Sequence, residues 1–226
     1  MELRGRLPAS YKVYVLGGVL RELRLRSSVS LASDVDVVVS GAPSSEVLAK
    51  DLREVIVRVN SFEGLKCRLG ETTFDVWRIE DHATVTTPTR PETIETLLPN
   101  CVVDADAAAL DIDSGYLYEY GFLNALRQRR ISALPGTVTR SASAAPQAAH
   151  LVLLIARYEG QFEIDHSTWT LLAEAIGVAE RNEVWSILER KLADRGARSY
   201  QQLRIACGAV IVRGIELLQS GRDGGQ

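Results

Sequence analysis

Residues 12–39 carry the pattern that most limits how this chain can fold. A Val-rich run, Val13-Tyr14-Val15-Leu16, ends in Gly17-Gly18; an Arg-rich stretch follows, and a second Val-rich run then carries Asp34 and Asp36. This spells a strand, a glycine turn, a helix and a second strand. Successive side chains of a strand alternate between faces, so two carboxylates at i and i+2 share one face. Like charges held that close are unfavourable unless a cation lies between them. A divalent metal is the usual remedy, and Mg²⁺ favours a few carboxylates together with substrate phosphate oxygens. A glycine turn at a helix N-terminus offers backbone N–H groups to a polyphosphate. Together these parts imply metal-assisted nucleotidyl transfer.

The rest of the chain divides in two. Strands are predicted over 12–16, 34–39, 55–59 and 73–79, with helices over 20–25 and 44–53, the second capped by Ser44. Residues 81–100 are polar with three prolines and read as a loop. An apolar stretch over 102–112 leads through Asp113-Ser114-Gly115 into 116–120, a hairpin signal. Leu134-Pro135-Gly136 breaks the pattern, and 141–145 are small and polar. Helices follow over 148–158, 166–176 (after Asp165), 182–192 and 201–218, with a frayed tail over 223–226. The expectation is a mixed α/β head with a small mixed sheet over 1–135 and an all-helical region over 145–222.

Composition excludes several classes. With 46% apolar and 24% charged residues in 226, a buried core and a soluble surface are both available. A formal charge of −3 argues against a surface that coats nucleic acid broadly. Cys67, Cys101 and Cys207 are far apart, with no CxxC, which fits reduced thiols rather than zinc or a disulfide framework. No stretch reaches the about 18 consecutive apolar residues of a membrane span, and no leader-like segment opens the chain. A cytoplasmic protein is expected. Asp104, Asp106, Asp111 and Asp113 read as a solvated turn; His82, His150 and His166 lie in separate segments; Trp169 and Trp185 read as core aromatics.

Gly17-Gly18-Val19-Leu20-Arg21-Glu22, followed by Asp34-Val35-Asp36, resembles the head of class II tRNA nucleotidyltransferases (CCA-adding enzymes) and bacterial poly(A) polymerases, within the DNA polymerase β-like superfamily. Two later stretches agree. Gly121-Phe122-Leu123-Asn124-Ala125-Leu126-Arg127 is similar to the segment that ends the head, and Phe162-Glu163-Ile164-Asp165 to the neck. The resemblance runs in order over about 12–192. It departs from the family in three places. Glu22 stands where the family has aspartate. Residues 100–107 lack the family's paired arginines, and over 146–156 the neck helix has no arginine before Arg157.

The resemblance implies an α+β nucleotidyltransferase head followed by an all-helical neck. It implies a Mg²⁺-dependent enzyme, using two ions, that transfers NMP from an NTP such as ATP to an acceptor hydroxyl and releases pyrophosphate. The acceptor would be an RNA 3′ end, with tRNA first; a protein or small-molecule acceptor, or a non-catalytic nucleotide-binding module, are the alternatives. Asp34, Asp36 and Asp75 would be the catalytic and metal-holding carboxylates, with Glu71 and Glu80 competing for the role of Asp75. Gly17, Gly18 and Arg21 would bind the nucleotide phosphates. Oligomeric state is not legible.

Overall fold

The computed structural model describes residues 2–26, 34–59, 64–81, 92–135, 141–179, 181–193 and 197–223. His82 and part of the loop expected over 81–100 lie outside them. The chain packs as two compact units, Met1–Leu126 and Arg127–Gln226, dividing earlier than the Pro135 region would suggest.

The first unit is built on a seven-stranded sheet. Its elements in order are β1 (Lys12–Leu16), α1 (Gly18–Arg26), β2 (Val35–Ser40), α2 (Ser45–Asp51), β3 (Ile56–Val59), β4 (Leu65–Leu69), β5 (Thr72–Arg78), α3 (Ile94–Leu97), β6 (Ala108–Asp111), β7 (Leu117–Glu119) and α4 (Phe122–Gln128). The strand order is β3-β4-β5-β2-β1-β6-β7. Only β2 and β5 run parallel; every other pair is antiparallel.

Strand periodicity sorts the side chains. On one face Val13, Val37, Val39, Leu65, Cys67, Phe74 and Val76 are buried with Leu3, Leu7, Leu48 and Leu52 in one core. Each such aliphatic side chain contributes about 1.5–3 kcal/mol on burial, which fixes the register. A slip of one residue would send the other set, Asp36, Lys66 and Asp75, into that core. Ser44 caps α2 as expected, its Oγ accepting from Val47 N at 3.3 Å. The hairpin between β6 and β7 also forms as expected.

β4 was not among the predicted strands. Its apolar residues, Leu65, Cys67 and Leu69, alternate with Lys66 and Arg68, so a genuine period of two is masked by charge. Gly70, with φ +57°, turns it directly into β5.

The second unit holds α5 (Ser141–Tyr158), α6 (His166–Val178), α7 (Arg181–Ala193) and α8 (Ala197–Asp223). A two-residue strand pair, β8 (Arg130–Ile131) with β9 (Glu163–Ile164), runs parallel. α5 packs on the other three helices, and α6 on α8. The core includes Ala148, Leu151, Val152, Ile155, Tyr158, Trp169 and Leu172. Asp165 caps α6, its carboxylate accepting from Ser167 N at 2.8 Å.

Two expectations for this unit are corrected. Residues 141–145 are the first turn of α5 rather than a polar break; Pro146 lies inside the helix, where it removes one backbone bond, while buried Ala144 and Ala145 pack beside it. Helix α8 also exceeds the expected 201–218 at both ends. Among the described residues no helix is long and apolar enough to cross a membrane.

Candidate active site

The carboxylates lie on the face of the first unit's sheet opposite its core. Parallel pairing of β2 with β5 sets Asp36 directly beside Asp75. Asp34 lies two residues before Asp36 and so on the same side. Antiparallel pairing of β4 with β5 then sets Lys66 beside Asp75 on its other flank. Three neighbouring strands thus present Asp36, Asp75 and Lys66 in one row. Lys66 Nζ donates to Asp34 Oδ2 at 2.6 Å and stands 3.6 Å from Asp75 Oδ2. The ammonium lies between two of the three expected carboxylates, and Lys66 was missed because β4 was missed. The alternation of 65–69 before Gly70-Glu71 was the signal that could have exposed it.

The competitors of Asp75 lie elsewhere. Glu71 is exposed in the turn between β4 and β5, and Glu80 follows β5, where it pairs with Arg78 at 3.3 Å. Arg78 also donates to Asp81 at 2.9 Å and to Ala42 O at 3.1 Å, which ties the end of β5 to the loop before α2.

The glycine turn adjoins this row, since β1 pairs with β2 and delivers its C-terminal end beside the N-terminal end of β2. Gly17 has φ +39°, and a Cβ there would lie 2.6 Å from the backbone oxygen of Asp106. Only glycine fits both the left-handed backbone and that approach. The Gly17 N–H is engaged by Ala108 O at 2.9 Å, so it holds the turn rather than facing outward. At Gly18 a Cβ would make only ordinary contact. The first-turn amides of α1, beginning there, have no intrahelical acceptor by construction and present the positive end of the helix.

Arg21 is 4% exposed, and its guanidinium forms an ion pair with the Asp106 carboxylate. The acidic run is therefore not uniformly a solvated turn. Asp106 is half-buried against Arg21. Asp111 is buried and accepts from Asp113 N at 2.9 Å and Ser114 N at 3.2 Å. Burial pushes the Asp111 pKa up, but those backbone and Ser114 side-chain bonds and Lys12 outweigh it, leaving it below the usual carboxylate value. Asp113 fits the expectation, being exposed and paired with Arg4 at 2.8 Å. Glu22 is buried.

The thiols nearby are inert. Burial first, then Asp106 and Asp36, raise Cys101 far above its ordinary value, which also puts the Arg21–Asp106 pair and Asp36 in one electrostatic neighbourhood. Burial first, then Asp75, pushes Cys67 up to about 11. Neither thiol is a thiolate near neutral pH. His150 and His166 lie in the second unit, on α5 and α6. Trp169 is buried as expected and Trp185 half-buried.

The donor set fits a hard dication. Asp34, Asp36 and Asp75 offer only carboxylate oxygens, and the nearby thiols of Cys67 and Cys101 are held protonated by burial. As they stand, no three His, Cys, Asp or Glu side chains among the described residues gather closely enough to enclose an ion. Lys66 occupies the space between Asp34 and Asp75.

Neither a protein-family profile nor a curated protein sequence matches the chain. Solved structures do match. A tRNA-processing enzyme with CTP superposes with a TM-score of 0.60 at 21% identity, covering 91% of this chain and 55% of that one. The Thermotoga maritima CCA-adding enzyme complexed with tRNA gives 0.57 at 21%, covering 90% and 48%. A tRNA nucleotidyltransferase complexed with a primer tRNA and an incoming ATP analog gives 0.56 at 22%, covering 92% and 63%. The chain thus spans roughly half to three-fifths of the length of these proteins. Over that part, it has the fold of the CCA-adding enzymes and other tRNA nucleotidyltransferases.

Proposed function

We propose that this chain is a Mg²⁺-dependent nucleotidyltransferase that moves a nucleoside monophosphate from an NTP to an RNA 3′ hydroxyl, with tRNA the first candidate acceptor. The observation that carries the reading is the register of β2 against β5, which sets Asp36 beside Asp75 with Asp34 on the same side, next to the Gly17 turn. The likeness to structures solved with CTP, an ATP analog and tRNA supports it.

In the proposed reaction the acceptor oxygen bonds to the α-phosphorus, the bond from that phosphorus to the bridging oxygen breaks, and pyrophosphate leaves. Asp34 and Asp36 would hold both metal ions and Asp75 one of them. When bound, the ions neutralise triphosphate charge and acidify the attacking hydroxyl. The chain's own residues position the substrate. The N-terminal amides of α1, from Gly18 onward, face the β- and γ-phosphates, and Gly17 lets the backbone make the turn that aims them. Arg21 lends its charge from beneath while it stays paired to Asp106. Transfer of this kind needs positioning and charge stabilisation more than covalent chemistry, so a small residue set suffices.

A protein or small-molecule hydroxyl is the second acceptor class, favoured by the formal charge of −3. Because 100–107 and 146–156 lack arginine, ordered synthesis of C-C-A is not expected. The test incubates the chain with labelled NTPs, Mg²⁺ and either total RNA or tRNA lacking its terminal CCA, then sequences RNA 3′ ends. Label on RNA ends, lost in Asp36→Ala, supports the reading. Label on protein alone moves the acceptor, and no transfer to any acceptor refutes it.

A further inference from the structure

The lysine amid the carboxylates has no part in the reaction just described. Its side chain is 19% exposed, between Asp75 at 20% and Asp34 at 45%, so it is a partly enclosed charge rather than a surface one. Its backbone is pinned by pairing to β5 at Asp75 and to β3 at Arg58. Three carboxylates on one side of a sheet repel one another, and in this fold a cation supplied by the chain stands among them.

We propose that Lys66 is a resident counter-charge that competes with divalent metal for Asp34 and Asp75, so that the ammonium must swing away before those carboxylates can take an ion. This rests on the metal-site reading above. The geometry argues for competition rather than cooperation. The ammonium is in hydrogen-bond contact with Asp34 and within ion-pair distance of Asp75, the space a shared ion would use, and two cations there repel. Lys66 therefore keeps the fold stable without metal and weakens metal uptake. A lysine suits this role: its long flexible stem can withdraw the charge without moving the strand.

The experiment measures Mn²⁺ binding by electron paramagnetic resonance without nucleotide, together with melting in EDTA, for wild type, Lys66→Met, Lys66→Gln and Asp36→Asn. The neutral Lys66 variants are expected to bind Mn²⁺ about tenfold more tightly or better. They should melt below wild type in EDTA and recover that difference in saturating Mn²⁺. If Lys66→Met does not fold, Lys66→Gln keeps a polar group at the site and carries the measurement. Unchanged or weaker Mn²⁺ affinity in the neutral variants, with Asp36→Asn still abolishing uptake, overturns the competition and leaves the metal site standing. No uptake by wild type or by either neutral variant overturns both.

Discussion

The two units handle charge in opposite ways. In the first, charged side chains sit inside or against the structure and are paired there: Arg21 with Asp106, Lys66 with Asp34 and Asp75, Arg78 with Asp81. In the second, α5 and α6 contribute alanine, leucine, isoleucine and aromatic residues to the core, and ion pairs such as Arg213 with Glu159 and Arg204 with Glu189 lie at the rim. Rim pairs contribute little, about 0–1 kcal/mol, whereas breaking a buried pair is strongly destabilising. Charge retained at the centre of the first unit therefore makes it expensive to build, and the proposed chemistry is what such a centre is suited to. Apolar packing dominates the second.

The contrast breaks first at the carboxylates. Asp36→Ala should lower transfer by about 10³-fold, since metal-borne stabilisation is worth several kcal/mol and 1.36 kcal/mol is tenfold. The fold should persist, because removing one of several like charges relieves repulsion. Near wild-type turnover in a steady-state assay would remove Asp36 from the site.

Arg21→Ala tests whether the first unit's charges are structural as well as functional. It leaves Asp106 half-buried without this partner, at a cost of about 3 kcal/mol, read as a lower urea midpoint. Arg24, exposed on the same helix, should be silent. If Arg21→Ala changes only KM for NTP and leaves stability alone, the guanidinium serves phosphate rather than the fold.

Two glycines sharpen the same comparison. Gly17→Ala sets a Cβ against a backbone oxygen at a positive φ and should destabilise the first unit by about 1–3 kcal/mol. Gly214→Ala on α8 would place a Cβ 2.9 Å from Ile176 Cδ1 and 3.4 Å from Leu172. The Ile176 tip can rotate aside, and alanine favours a helix by up to about 1 kcal/mol over glycine, so the change should be near neutral. Equal penalties in thermal melts would show that the helical unit is as rigid as the turn.

What sequence could reveal follows from the range of the interactions. The β1–Gly17–α1–β2 order, the Ser44 and Asp165 caps and the β6–β7 hairpin are local, set by residues within one turn or one strand. The pairing of Arg21 with Asp106 joins residues 85 positions apart, and no local pattern announces it. Lys66 was hidden differently: its strand had the right period, but three apolar residues among charges gave too weak a signal. The first turn of α5 was missed because 141–145 are small residues with no helical period of apolar side chains, although Ala144 and Ala145 are buried.

A modest, pH-dependent effect specific to the second unit is expected at the cap of α6. Asp165 accepts from the Ser167 hydroxyl at 2.7 Å and the Ser167 backbone N–H at 2.8 Å, and is ion-paired with Arg130. The Ser167 side chain, then Arg130, then the Ser167 amide hold its carboxyl down at about 2, against an ordinary 3.8. A carboxyl depressed on folding stabilises above its unfolded pKa and loses that contribution as pH falls through the folded value. Asp165→Ala should therefore cost about 1 kcal/mol at pH 7, the usual worth of an N-cap. The gap from wild type should begin to narrow below about pH 4 and close near pH 2. Chemical denaturation of both proteins across that window measures it. A gap that stays constant with pH would mean that the side chain contributes by packing, and that charge matters as little to α6 as to the rest of the helical core.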